Sequence, residues 1–314
     1  MESDTVSTER TTSPLEGLVI RTAAVRDGGV GYLYCGDPVL EKQGRPHAIS
    51  FRVQSGEFAR GDANFDVSTC CIISTPCPGL MSVAGAGYYS VLTVQGNDTG
   101  DMFADSNPRP ETPRTGGIRQ VAEIDGMAYA VGLRGCVYRY EARKTWRRID
   151  EGLPSSFDGQ AIHGFSADDL YAVGRSGAIW HRDATGWHHS QSPTNATLTS
   201  VICAGDGRVY AAGHHGVLLQ GGTDGWALIE HTATDDTVWD LAWFQGALYA
   251  STLNTVYRLQ DGRLVAVDFG ADRPASCYQL STCGEAMWSS GEFDVMRFDG
   301  QRWTRIAGVQ HAGA

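Results

Sequence analysis

An aromatic position returns at residues 129, 171, 210, 249 and 288, at intervals of 42, 39, 39 and 39 residues. Around it the same order of short alternating segments repeats, and 39 glycines are spread through a 314-residue chain that is 42% hydrophobic. Together these predict an all-β fold, a seven-bladed β-propeller of four-stranded antiparallel blades, with six blades plus an N-terminal extension as the alternative. A helical repeat needs apolar spacing near 3.6 over a dozen residues, and no such pattern occurs.

Each unit opens on a short apolar strand such as Val201-Ile202-Cys203-Ala204, followed by an acidic or glycine turn such as Asp206-Gly207. The aromatic strand is next: Met127-Ala128-Tyr129-Ala130-Val131-Gly132, Leu170-Tyr171-Ala172-Val173-Gly174 or Val209-Tyr210-Ala211-Ala212-Gly213. The glycine that ends it permits a tight turn without a Cβ clash. A third alternating strand follows, then a tryptophan strand starting at Trp146, Trp187, Trp226 or Trp303, with Arg263-Leu264-Val265 in that place in one unit. Period-2 alternation over four strands in about 40 residues is one blade. Tyr129, Tyr171, Tyr210, Tyr249 and Trp288 read as packing between blades, as do the tryptophans.

Two divergent units precede the clear five. Gly79-Leu80-Met81-Ser82-Val83-Ala84-Gly85 and Val30-Gly31-Tyr32-Leu33-Tyr34-Cys35-Gly36 resemble the aromatic strand, and their extra length falls at Asp37–Arg45 and Asp105–Gly117. The predicted organisation is a disordered segment at 1–16 and one propeller domain at 17–314. Its blades are expected at 17–66, 67–115, 116–156, 157–194, 195–234, 235–273 and 274–309.

The formal net charge of −11 argues against binding a phosphate backbone, which needs clustered Lys and Arg, and suits a basic partner. No run of 18 apolar residues and no signal-peptide pattern occur, so the expected location is cytoplasmic, with no membrane partner. Cys35, Cys136, Cys203, Cys277 and Cys283 lie in or beside apolar runs and read as buried hydrophobes. Cys70, Cys71 and Cys77 cluster without Cys-x-x-Cys spacing or a nearby His, so no metal is assigned.

The unit Ile162-His163-Gly164-Phe165-Ser166-Ala167-Asp168-Asp169-Leu170-Tyr171-Ala172-Val173-Gly174-Arg175-Ser176-Gly177-Ala178-Ile179-Trp180-His181 resembles the repeats of bacterial propellers around the photosystem II assembly factor and the sialidase-type repeat proteins. The resemblance covers about residues 116–309 and implies architecture only. The sialidase Ser-x-Asp-x-Gly-x-Thr-Trp box and the Gly-His…Trp-Asp punctuation of WD40 blades are both absent; Trp239-Asp240 opens a strand instead of closing one.

Propellers concentrate function in the loops entering the innermost strands and those joining strands two and three. The expected binding set is Arg134, Arg175, His214, His215, Asp235, Asp236, Trp239, Asp240, Asn254, Tyr278, Glu292 and Phe293. Arg134, Arg175, His215, Asn254 and Glu292 are expected on one ring, and Phe157, Trp239 and Phe293 as exposed anchors. No His-x-His, His-Glu-x-x-His, Gly-x-Ser-x-Gly or phosphate-loop pattern is present, so no catalytic residue and no cofactor are assigned. The function expected is a monomeric, non-catalytic protein-binding propeller, most specifically an immunity-type inhibitor of a basic toxin or enzyme. A propeller glycosidase or lyase is the alternative; it would need a deep funnel with Asp or Glu beside His or Arg at perturbed pKa.

Overall fold

A computed structural model describes residues 13–27, 29–106 and 117–308 of the chain. The alternating segments form twenty-eight strands there, β1 to β28, grouped as seven antiparallel sheets of four consecutive strands. The blades span 19–63, 69–101, 118–148, 159–190, 198–228, 240–266 and 279–307. Both divergent N-terminal units make complete sheets, so the ring has seven blades and the six-bladed alternative falls away.

Inter-blade packing follows directly from the repeat. Each of the seven apolar clusters joins two consecutive blades. Tyr129, Tyr171, Tyr210 and Tyr249 are at most 4% exposed and pack onto Leu170, Val209, Leu248 and Met287 of the following blade. Burying one such ring removes on the order of 200 Å2 from water, about 5 kcal/mol gross. The outer tryptophans add to the same seams: Trp146 lies 5.6 Å from Tyr89 of the preceding blade and Trp226 6.2 Å from Tyr171.

Every blade is contiguous in sequence, so packing closes the ring without a shared strand. Trp288 of blade 7 lies against Gly31 of blade 1, where an added Cβ would overlap the indole. The Ile20 amide donates to the Glu292 carbonyl across the same seam at 2.8 Å. Of the 1–16 segment expected to be disordered, residues 1–12 lie outside the described residues. Residues 13–16 differ from that expectation: they enter a turn whose Leu15 is buried in the closing seam. The seam offers apolar surface to the leucine, and that stabilises the turn. The insertion at 37–45 contains a one-turn helix, α1 (Pro38–Lys42), capped by the Asp37 carboxylate. Within the insertion at 105–117, residues 107–116 lie outside the described residues.

The innermost strands are β1 (Val19–Asp27), β5 (Thr69–Ile73), β9 (Ile118–Ile124), β13 (Gly159–Ser166), β17 (Leu198–Cys203), β21 (Asp240–Phe244) and β25 (Gln279–Cys283). Each has one edge with no further strand to pair with, and its amides need acceptors. Side chains of the preceding blade supply them. The Thr69 hydroxyl accepts from the Val121 amide at 3.1 Å, and the Gln120 carbonyl from Ile162 at 2.8 Å. His163 Nδ1 accepts from Cys203 at 3.2 Å, and the Ser200 hydroxyl from Leu241 at 3.1 Å. Asp240 Oδ2 accepts from Leu280 at 3.0 Å, and Gln279 Oε1 from Ala23 at 3.0 Å, which completes the circle. At the remaining junction the Thr22 hydroxyl meets the Cys70 thiol at 3.4 Å. Polar clasps thus encircle a central cavity of about 440 Å3 lined by all seven innermost strands.

Candidate functional site

The two loop sets chosen from sequence converge on one face, because each blade's strand two–three turn is hydrogen-bonded to a connection between blades. Gly135 donates to the Phe157 carbonyl at 2.6 Å, Arg175 to Asp158 at 3.1 Å, His214 to Thr197 at 3.0 Å and Cys277 to Leu253 at 2.8 Å. Three of the turns are 3-10 turns at 133–135, 175–177 and 214–216, whose central residues Arg134, Ser176 and His215 take left-handed φ of 58°, 57° and 59°. Left-handed backbone at a non-glycine residue is uncommon, and the following glycines share it, at φ 67°, 68° and 66°. The turn holding His214 and His215 is therefore not extended. Arg134 is equivalent to Ser176, one position beyond Arg175, so the two arginines do not occupy matching places on a ring.

Blades 3 and 4 carry Arg134 and Arg175, both exposed. Asp158 serves each: its Oδ1 accepts from the Arg134 amide at 3.3 Å, and its Oδ2 lies 3.9 Å from Arg175 Nη1. Blades 5 to 7 carry the aromatic members. The His214 ring lies 6.4 Å from Trp239, and Trp239 5.5 Å from Tyr278 at an interplanar angle of 50°. Trp239 is 39% exposed, Phe293 49% and Leu253, beside Asn254, 40%. Asp235, Asp236 and Asn254 are exposed beside them, and the Asn254 amide donates to Asp236 at 3.3 Å. Glu292 and Tyr278 line a pocket of about 280 Å3 next to this run.

Two expected members sit elsewhere. Asp240 is not presented on the loop face: strand alternation turns it into the clasp circle, where its carboxylate accepts from Ser200, Leu241 and Leu280 at 2.9 to 3.0 Å. Phe157 is 3% exposed, because its loop folds back and packs the ring 6.2 Å from Trp180 in the seam between blades 3 and 4. A further buried network braces the face at blade 7. Arg305, on the outermost strand, forms ion pairs with fully buried Asp294 and with Asp272, the latter at 2.7 Å. Asp294 also accepts from the Ala275 amide at 2.6 Å.

The cavity holds one perturbed carboxyl group and one perturbed imidazole. Burial pushes Asp240 up to about 6, against the lowering effect of its three donors. Burial pushes His163 down to about 4, leaving a neutral ring whose Nδ1 accepts from Cys203. Both groups accept from backbone amides of the adjacent blade. The eight cysteines are free thiols, and burial raises Cys35 and Cys136 to about 12 and Cys277 to about 11. Among the described residues no group of His, Cys, Asp and Glu is arranged to hold a metal ion, and no helix is long and apolar enough to cross a membrane.

Apart from Asp240, which was expected on the loop face, the clasp residues were missed from sequence, although a signal exists. Gln120, Ser200, Asp240 and Gln279 each precede the aromatic position of their blade by nine or ten residues. Thr22, Thr69, Gln120, Ser200, Asp240 and Gln279 share one register, opposite the residue two beyond that position, and Ala161 fills it in blade 4.

Fold and face together define a closed seven-bladed β-propeller with seven sequence-contiguous blades and an asymmetric, aromatic-bearing loop face. Solved structures agree at the level of fold. The Saccharomyces cerevisiae Sqt1 structure superposes with a TM-score of 0.64 at 12% identity, covering 96% of this chain and 88% of that one. The RRP9 WD40 repeats give 0.65 at 12%, covering 92% and 91%. The structure of YCF48 bound to D1 peptide gives 0.62 at 15%, covering 95% and 94%, in keeping with the architectural resemblance to photosystem II assembly-factor propellers. No family model matches the chain. In sequence the chain is similar to Immune protein Tsi7 of Pseudomonas aeruginosa, with 46% identity over 197 residues. That match covers 61% of this chain and 64% of the relative, just under two thirds of its length.

Proposed function

We propose that the chain is an immunity-type inhibitor, a non-catalytic propeller that neutralises a partner toxin or enzyme by covering it with the loop face. The observation that carries this reading is the 46% identity to a protein named as an immune protein. The loop face supplies the means. Trp239, Leu253 and Phe293 stand exposed on loops held by backbone hydrogen bonds, and rigid aromatic anchors of this kind carry most of the energy of a protein interface. The partner is basic at its contact surface, in keeping with a chain of net charge −11. The inhibitor acts as a monomer in the cytoplasm, a reducing compartment that suits eight free thiols.

The test is affinity capture from the native cytosol with wild type, Trp239→Ala/Phe293→Ala and Arg134→Glu/Arg175→Glu. The expected result is one stoichiometric protein, toxic when produced alone in a bacterial host and harmless when wild type is co-produced. Capture or protection that survives both double substitutions overturns the face, and a folded chain that suppresses no toxicity overturns the inhibitor.

A further inference from the structure

The geometry points to one arginine of the partner, seated on blades 5 to 7 over Trp239 and Tyr278 and neutralised by Asp235, Asp236 and Glu292. This deepens the inhibitor reading and rests on it. The backbone beneath the rings is fixed before any partner arrives. His214 donates its amide to Thr197, Trp239 to the Ser251 carbonyl at 2.8 Å, and Tyr278 to the Ser290 carbonyl at 2.9 Å. The Ser251 hydroxyl also donates to the Tyr278 carbonyl at 2.7 Å, tying blades 6 and 7 together beneath the rings. A cation over the face of an indole or phenol is attracted by the ring quadrupole, and a preorganised platform avoids the cost of ordering it.

The charge around the platform has an acidic excess. Asp235 and Glu292 make no ion pair among the described residues, and Asp236 accepts only from the neutral Asn254 amide. Of the nearby cations, Arg21, which lines the pocket beside Tyr278, is paired with Glu41, and Arg273 is exposed on the connection that leads into β25. Arg134 and Arg175 stand on the other side of the face beside Asp158. Carboxylates therefore outnumber the available cations on the aromatic half, and its pocket of about 280 Å3 between Tyr278 and Glu292 has room for a side chain. A planar guanidinium can stack on a ring and meet a carboxylate edge-on at the same time; an ammonium offers only a point charge.

The probes are N-acetyl-arginine amide, N-acetyl-lysine amide and N-acetyl-glutamate amide, titrated at low salt against the full chain. The readout is the indole N–H resonance of Trp239, assigned with Trp239→Phe. The arginine amide should give a saturable shift that weakens at least tenfold in Asp235→Asn/Asp236→Asn/Glu292→Gln, and the glutamate amide none. No saturable shift with arginine, or an equal one with glutamate, overturns the site; equal binding of lysine overturns the assignment to arginine. The two levels separate cleanly. A chain that seats arginine yet protects against no toxin leaves the site and overturns the inhibitor. A chain whose Trp239→Ala variant holds its toxin undiminished does the reverse.

Discussion

Replacing Asp240 by Asn tests whether the clasp circle holds a carboxyl group against its preference for water. Burial raises its pKa from the ordinary 3.8 to about 6, so the native state keeps a proton that the unfolded chain releases. Below 3.8 both states are protonated. Between 3.8 and about 6 the native state binds more protons than the unfolded one, so stability falls as pH rises, and above that window the loss is complete. At about 1.36 kcal/mol per pH unit the full loss is about 3 kcal/mol, and solvent reaching the channel lowers it to about 2 kcal/mol. Asparagine gives up the bond from the Leu241 amide, which retains the Ser200 hydroxyl as acceptor, and keeps the rest, with Oδ1 accepting from Leu280 and Nδ2 donating to the Ser200 hydroxyl. His163 contributes the opposite slope, since its folded pKa of about 4 makes stability fall as pH drops below 6.5. The difference between wild type and Asp240→Asn removes that term. Urea unfolding of both proteins at pH 4, 5, 6 and 7 should show the variant gaining about 2 kcal/mol on wild type across the series. A difference that stays constant from pH 4 to 7 would refute the reasoning.

Trp288→Ala opens a cavity in the closing seam beside Gly31 and should cost about 3–5 kcal/mol, read as a lowered urea midpoint. Arg305→Met leaves the fully buried Asp294 without its cation and should cost a similar amount, about 3–5 kcal/mol, whereas Arg302→Met at the exposed Asp299 pair should change the midpoint by under about 1 kcal/mol. Trp239→Ala should weaken partner binding by more than about 30-fold in calorimetry while the melting temperature stays within about 2 °C. Gln279→Ala should weaken the same binding by about tenfold without touching the partner, because it loosens the strand that begins beneath Tyr278; unchanged affinity would show that Tyr278 is held by other contacts.

Most of the fold was legible because its packing rests on large residues at fixed spacing. Tyr129, Tyr171, Tyr210, Tyr249 and Trp288 are bulky, recur once per blade and fill the seams, so the pattern in the chain is the pattern in the core. The clasps escaped notice for the opposite reason. Six of the positions hold Thr, Thr, Gln, Ser, Asp and Gln, which share only the capacity to accept a hydrogen bond, and the blade with Ala161 there moves the task two residues on to His163. Loop residues were legible in place but not in exposure. Trp239 and Phe157 look alike in sequence, yet only the structure shows that the loop after Pro154 folds onto Trp180 while the loop before Asp240 leaves its indole in solvent.

The position of the aromatic half follows from the clasps. Trp239 immediately precedes Asp240, and Tyr278 immediately precedes Gln279, at the points where connections of 11 and 12 residues enter the innermost strands. Extended backbone sends neighbouring side chains to opposite sides. The clasped residue therefore turns toward the adjacent blade while the ring before it turns outward to the loop face. Shorter connections, such as the five residues from 64 to 68 and the seven from 191 to 197, reach their strands without room for a comparable display. One device thus serves two ends. The hydrogen bond that satisfies an edge amide at the ring's centre also fixes the residue before it, so the anchors of blades 6 and 7 inherit the rigidity of the closed ring. Binding at this face and closure of the propeller are coupled through the backbone of two adjacent residues at each junction.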